Sequence, residues 1–172
     1  MHYIIGILGA IAGLFWAFTH FSNAARQGKD AVDEVRGAFR RQRWSSKIDK
    51  RLIETLDDPR EALAIFLYQI LAYDGAITER QRLAMVAEMQ ATFGIDQPTA
   101  EEFLAFARMA TGEITDAANN VRKIAKPLVQ RCQDEEKTAA IAMMRRLAAV
   151  EGPVNDQQSH LIATIEAILR RP

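Results

Sequence analysis

Apolar residues recur at helical spacing through most of the chain beyond residue 57, and polar joints separate the runs. The segment "DDPREALAIFLYQILAYDG" opens with Asp58 as an N-cap and Pro59 at the first helical position, where the missing N–H costs nothing. Ala62, Leu63, Phe66, Leu67, Ile70 and Leu71 follow at helical spacing, and Ile65 widens the arc. A helix this apolar belongs at the centre of a fold, and it ends at Asp74-Gly75. Thr78 then caps a second helix, with Gln81 placed to close a capping box. Leu83, Val86, Met89 and Phe93 are its expected buried face, and Gly94 its C-terminal cap.

Two more helices are predicted at 98–111, beginning at Pro98, and at 115–131, capped by Thr115. Pro127 is expected to kink or interrupt the latter, having no N–H to give. Asp134 caps the fifth pattern, with Ala140, Met143, Met144 and Leu147 inward. Asn155 caps the sixth, with Gln158 in the reaching-back position and Leu161, Ile162, Ile165, Ile168 and Leu169 buried.

The scheme is repeated. "YDGAITERQ" (73–81) and "VEGPVNDQQ" (150–158) each place an acid before a glycine, then a branched apolar residue and a small polar cap. The shift that lays Glu151 on Asp74 also lays Leu147 on Ile70, Met144 on Leu67 and Ile162 on Met85. Agreement on both sides of the joint predicts a duplicated helical hairpin.

The N-terminus follows a different pattern. From Tyr3 to Phe21 only Thr19 and His20 are polar. At roughly 1.5 Å per residue this run spans about 28 Å, close to the hydrocarbon thickness of a bilayer. A secretory signal peptide cleaved after "SNA" at Ala24 is the rival reading, but no Lys or Arg precedes the run. Basic residues follow it instead, which orients a single-pass anchor with the remainder of the chain on the cytoplasmic side. Residues 1–21 are therefore expected to form a transmembrane anchor, with membrane contact over 3–21. Within it Gly9 and Gly13 make a small-xxx-small pattern suited to homodimerisation, although glycine is common in membrane helices generally.

Charge separates what comes next. The chain is neutral overall, yet residues 1–51 hold nine Lys/Arg against four Asp/Glu, and residues 52–172 hold thirteen against eighteen. Residues 22–56 read as a basic juxtamembrane connector with a thin apolar stripe of Val32, Val35, Phe39, Ile48, Leu52 and Leu56. Its cations suit anionic headgroups nearby. "RRQRW" (40–44) could contact nucleic acid, but an acidic domain without a nucleic-acid motif argues against that partner.

A helix ending in acid-Gly, a branched apolar residue, a cap and a second helix, occurring twice over residues 57–172, resembles the TerB family, whose namesake is a tellurite-resistance protein. The same fold forms the N-terminal part of a membrane-anchored DnaJ-like co-chaperone, which also begins with one transmembrane helix. The J-domain motif His-Pro-Asp is missing from this chain. The resemblance implies an all-α TerB-like bundle with pseudo-repeated hairpins, and acidic joint residues that take part in divalent-cation binding. Asp74 and Gly75 match the family joint, Glu151 stands in place of an Asp, and Gln81 and Gln158 replace its later Glu.

Asp74, Glu79, Glu151 and Asp156 are accordingly the candidate metal ligands, for Ca²⁺ or Mg²⁺, provided that the two joints lie side by side. Acids at helix N-termini also offset the macrodipole, and Asp-Gly is ordinary turn chemistry, so a structural role competes. For catalysis the sequence offers little. His2 and His20 fall in the anchor, His160 has no carboxylate or nucleophile in register, and Cys132 suits a small buried filler. No phosphate loop, zinc spacing or nucleophile elbow occurs. The expectation is a non-enzymatic interaction module at the bacterial inner membrane, its helical domain cytoplasmic. It would bind an unidentified protein partner in a stress-response or envelope-associated assembly. A cation-responsive module is the alternative.

Overall fold

The computed structural model describes residues 52–113 and 117–171. These form a short 3-10 turn, Leu52–Thr55, and six α-helices with no strand among the described residues: α1 Pro59–Leu71, α2 Glu79–Phe93, α3 Gln97–Glu113, α4 Ala117–Arg131, α5 Asp134–Ala148 and α6 Asp156–Leu169. The expected anchor and nearly all of the connector, with Gly9 and Gly13, lie outside the described residues. None of the described helices is long and apolar enough to cross a membrane.

α1 is the axis. Every residue from Glu61 to Leu71 is buried, and all five other helices pack on it. Its N-terminus forms as the sequence predicts, with the Asp58 carboxylate accepting from the Arg60 N–H at 2.9 Å and Pro59 opening the helix. Arg60 is held by the same carboxylate and lies 5.6 Å over the Phe103 ring of α3. The 3-10 turn packs on α4, and Leu56 enters the core beside partly buried Ile53. The packed body thus takes in the last residues of the expected connector.

Three expectations are corrected. Leu83 is exposed, and the inward residues of α2 are Met85, Val86 and Met89. With Met85 and Met89 four residues apart facing the core, Leu83, two positions before Met85, points nearly the opposite way. Asp134 does not cap α5 but begins it. Gln133 is the N-cap, and its backbone N–H is taken by Glu136 at 2.7 Å. Asp134, Glu135 and Glu136 all fall in the first turn, where the helix dipole favours negative charge. Pro127 does not interrupt α4, which runs on to Arg131. Proline removes one ladder bond, but Ile124, Ala125 and Leu128 around it are buried in the core, and that packing holds the helix together. The start of α4, including the cap expected at Thr115, lies outside the described residues.

Candidate functional site at two facing corners

Each hairpin closes its first helix by backbone bonds and turns its corner at a glycine of positive φ. After α1, the N–H of Ala72 bonds the Tyr68 carbonyl at 2.8 Å and that of Gly75 bonds the Ala72 carbonyl at 3.1 Å. Gly75 then adopts φ +129°, a left-handed value that an L side chain would resist. After α5, Ala149 and Val150 close the helix on the Arg146 and Leu147 carbonyls, both at 3.2 Å, and Gly152 takes φ +152°. Gly152 falls on Gly75 under the same shift that superposes the two joints, so the repeat read in the sequence is also a repeat of backbone conformation.

Both capping boxes form. Thr78 Oγ1 accepts from the Gln81 N–H at 3.1 Å while Gln81 Oε1 accepts from the Thr78 N–H at 2.8 Å. Asn155 Oδ1 accepts from the Gln158 N–H at 2.7 Å, and Gln158 Oε1 accepts from the Asn155 N–H at 3.2 Å.

The corners face one another, and each cap reaches the acid of the opposite corner. Thr78 Oγ1 donates to Glu151 Oε1 at 2.6 Å. Asn155 Nδ2 donates to Asp74 Oδ2 at 2.9 Å. Both bonds put a neutral donor on an exposed carboxylate, the stronger, charge-assisted kind. A single side chain therefore does two tasks at each corner: it starts its own helix and braces the other hairpin.

Gln158 adds a third link. Its Nε2 donates at 2.9 Å to the carbonyl of Ile70, in the last turn of α1. Carbonyls in a helix's last turn have no partner within the helix, and this bond is buried. A Glu at 158 could cap Asn155 equally well but has no N–H to give Ile70.

The expected ligands are placed as follows. Asp74 and Glu151 stand at the two facing corners, each with an oxygen engaged by the cap of the opposite corner. Glu79 is turned to Arg82, whose Nη2 lies 2.7 Å away and which also reaches Glu101 at 3.5 Å. The Arg82 guanidinium holds the Glu79 carboxyl below the usual carboxylate range. Asp156 is exposed in the first turn of α6. No group of three or more His, Cys, Asp or Glu among the described residues is arranged to hold a metal ion.

Burial pushes the Cys132 thiol up to about 12, so it is protonated and a poor nucleophile at neutral pH. His160 is exposed on α6. The sequence identified Thr78 and Asn155 as caps but missed their second bonds. The signal was available in the repeat itself, which lays these two caps on each other beside the two acids.

Comparison with known proteins agrees with this architecture. Residues 60–171 match the family model described as "Tellurite resistance protein TerB". No curated protein and no solved structure matches the chain. The match spans all six helices of the bundle and both acid-Gly corners, and covers well over half of the chain, which belongs to the TerB family.

Proposed function

We propose that this TerB domain is a non-catalytic interaction module held at the cytoplasmic face of the bacterial inner membrane, where it presents a braced helical surface to a protein partner. The observation that carries this reading is the reciprocal tie of Thr78 to Glu151 and Asn155 to Asp74. The two corner carboxylates are thereby committed to holding two hairpins in one geometry, as a rigid recognition surface requires. The exposed side chains of Tyr73, beside one corner, and Leu83, on α2, supply apolar contact area next to it. The apolar run 3–21 supports attachment through an uncleaved anchor, and Gly9 and Gly13 support pairing of two such helices.

The role fits envelope-associated assembly or stress response, the latter in keeping with the family's name. Carbonate extraction of membranes tests the tether, and the protein is expected in the pellet. Recovery in the soluble fraction overturns it. Cross-linking from residue 83 in intact cells tests the surface; one discrete adduct is expected, lost on Tyr73→Ala. Adducts unchanged by that substitution remove this surface from the reading.

Divalent-cation binding is the second reading, favoured by the placement of Asp74 and Glu151 at two facing corners. A cation would replace the two cap donors on those carboxylates. Calorimetry with Ca²⁺, Mg²⁺ and Zn²⁺ separates the readings. Saturable heat lost in Asp74→Asn supports the cation, and no heat at millimolar cation removes it.

A further inference from the structure

A cavity of about 510 Å³ opens between α1, α3, α4 and α6, away from the core's well-packed centre. Its walls include Gln69, Tyr73, Thr111, Val121, His160 and Leu161. That volume is typical of a pocket for a small molecule. What sets it apart is the polar chemistry in its walls. Among the described residues, the buried side-chain nitrogen and oxygen atoms without a hydrogen-bond partner are Gln69 Nε2, Gln69 Oε1 and Thr111 Oγ1. All three belong to residues lining this one cavity, contributed by two different helices. Gln69 is only 6% exposed, in a helix whose other inward residues are almost all apolar.

Packing does not account for an amide here. A methionine has nearly the same shape and leaves nothing unpaired, whereas a buried, unsatisfied amide is destabilising. Nor does the repeat demand it: the equivalent position in the second hairpin is Arg146, which lies at the surface and pairs with Glu88 at 2.7 Å. An unpaired donor and acceptor on one terminal amide fit a ligand edge that presents an acceptor and a donor side by side. Next to this cavity a shallower one shares His160 and Thr164 with it and adds Arg122 and Arg171. Both arginines are exposed, and neither forms an ion pair among the described residues.

We propose that this cavity is a binding site for a small amphipathic molecule with a primary amide or lactam edge at one end and an anionic group at the other. The unpaired polar atoms of Gln69 and Thr111 lie closed in the cavity wall, and a rotation of the Gln69 side chain brings its terminal amide to that edge with the Thr111 hydroxyl beside it. Val121 and Leu161 flank the apolar body. The anion reaches the Arg122 and Arg171 guanidinium groups past His160.

Terephthalamate, a benzene ring with a carboxamide opposite a carboxylate, is the minimal probe, titrated calorimetrically into the full-length chain in lipid nanodiscs. Saturable binding is expected, with p-toluate, which has a methyl in place of the amide, weaker by about tenfold or more. Benzamide, lacking the anion, is expected to bind more weakly than terephthalamate, and Arg122→Ala to narrow that gap. Gln69→Met is expected to abolish the preference for the amide without lowering the melting temperature of the free protein, an outcome that a purely structural Gln69 would not give. Should Gln69→Met fail to fold, Thr111→Val is expected to weaken terephthalamate and leave p-toluate unchanged. The proposal is overturned by the lack of saturable heat with terephthalamate, by p-toluate binding as tightly, or by unchanged selectivity in the variant that folds. None of these results depends on whether a protein partner is found.

Discussion

The two hairpins turn the same corner and live in different surroundings. In the first, α1 buries an unbroken run from Glu61 to Leu71. In the second, α5 buries one face, chiefly Ala140, Ile141, Met143, Met144 and Leu147, and leaves Arg145 and Arg146 to bind Glu166 and Glu88 at the surface. The difference comes from what lies between them. α3 and α4 are inserted between the repeats and both pack on α1, so the first hairpin is enclosed while the second stays at the edge. The joint is thus repeated, and position in the bundle decides how much of each helix is hidden.

The largest test of that asymmetry is truncation at equivalent core positions. Phe66 and Met143 superpose when the joints do, and both are fully buried. Phe66→Ala is expected to cost about 4 kcal/mol and Met143→Ala about 3 kcal/mol in denaturant unfolding. A reversed order would deny α1 its central place.

Next comes the pair of glutamines. Gln158 is buried and serves Ile70, whereas Gln81 is half-buried and serves its own cap. Gln158→Glu sets a carboxylate against the Ile70 carbonyl and is expected to cost about 2 kcal/mol or more at neutral pH. The loss should shrink in acid, where the protonated group can donate again. Gln81→Glu is expected to stay within about 0.5 kcal/mol, since an exposed capping box accepts either residue. Equal costs at the two positions would mean that the buried link to Ile70 contributes nothing.

The cross-ties are expected to matter less because both are exposed. A double-mutant cycle on Thr78→Val and Glu151→Ala should return a coupling of about 1 kcal/mol, and one on Asn155 and Asp74 a similar value. No coupling in either cycle would reduce the facing corners to a coincidence of shape.

At neutral pH the smallest effect concerns Cys132, after α4. Its folded-state thiol titrates at about 12 against an ordinary 9.0, because burial disfavours the thiolate, with Glu136 adding to the effect. A raised folded value means that the contribution is fully present below pH 9 and is lost as pH rises towards 12. Cys132→Ala is expected to flatten the alkaline side of the stability profile, measured by thermal unfolding. An unchanged profile would show that the thiol is open to water.

The caps at Asp58, Thr78 and Asn155, the left-handed Gly94 and the acid-Gly corners were all legible in the sequence, because each depends on residues within a few positions of one another. The inward faces of α1 and α5 were legible too, their apolar periodicity being dense. α2 misled. It offers Leu83, Met85, Val86 and Met89 on overlapping arcs, and only the neighbours it meets decide which of these faces inward. Pro127 misled for a related reason: local chemistry disfavours it within a helix, and the packing around it prevails.

By itself, then, the amino-acid sequence determined the helices' ends, the duplicated corner and the family, because capping, glycine conformation and apolar spacing act over short stretches of chain. Only tertiary structure decided that the two corners meet, that each cap reaches across to the other's acid, and that Gln158 rather than Gln81 satisfies a carbonyl of the central helix. Those bonds join residues 73, 81 and 88 positions apart, and no local rule couples such distances. They exist because α1 packs directly on α5 and α6, which brings the ends of both hairpins together.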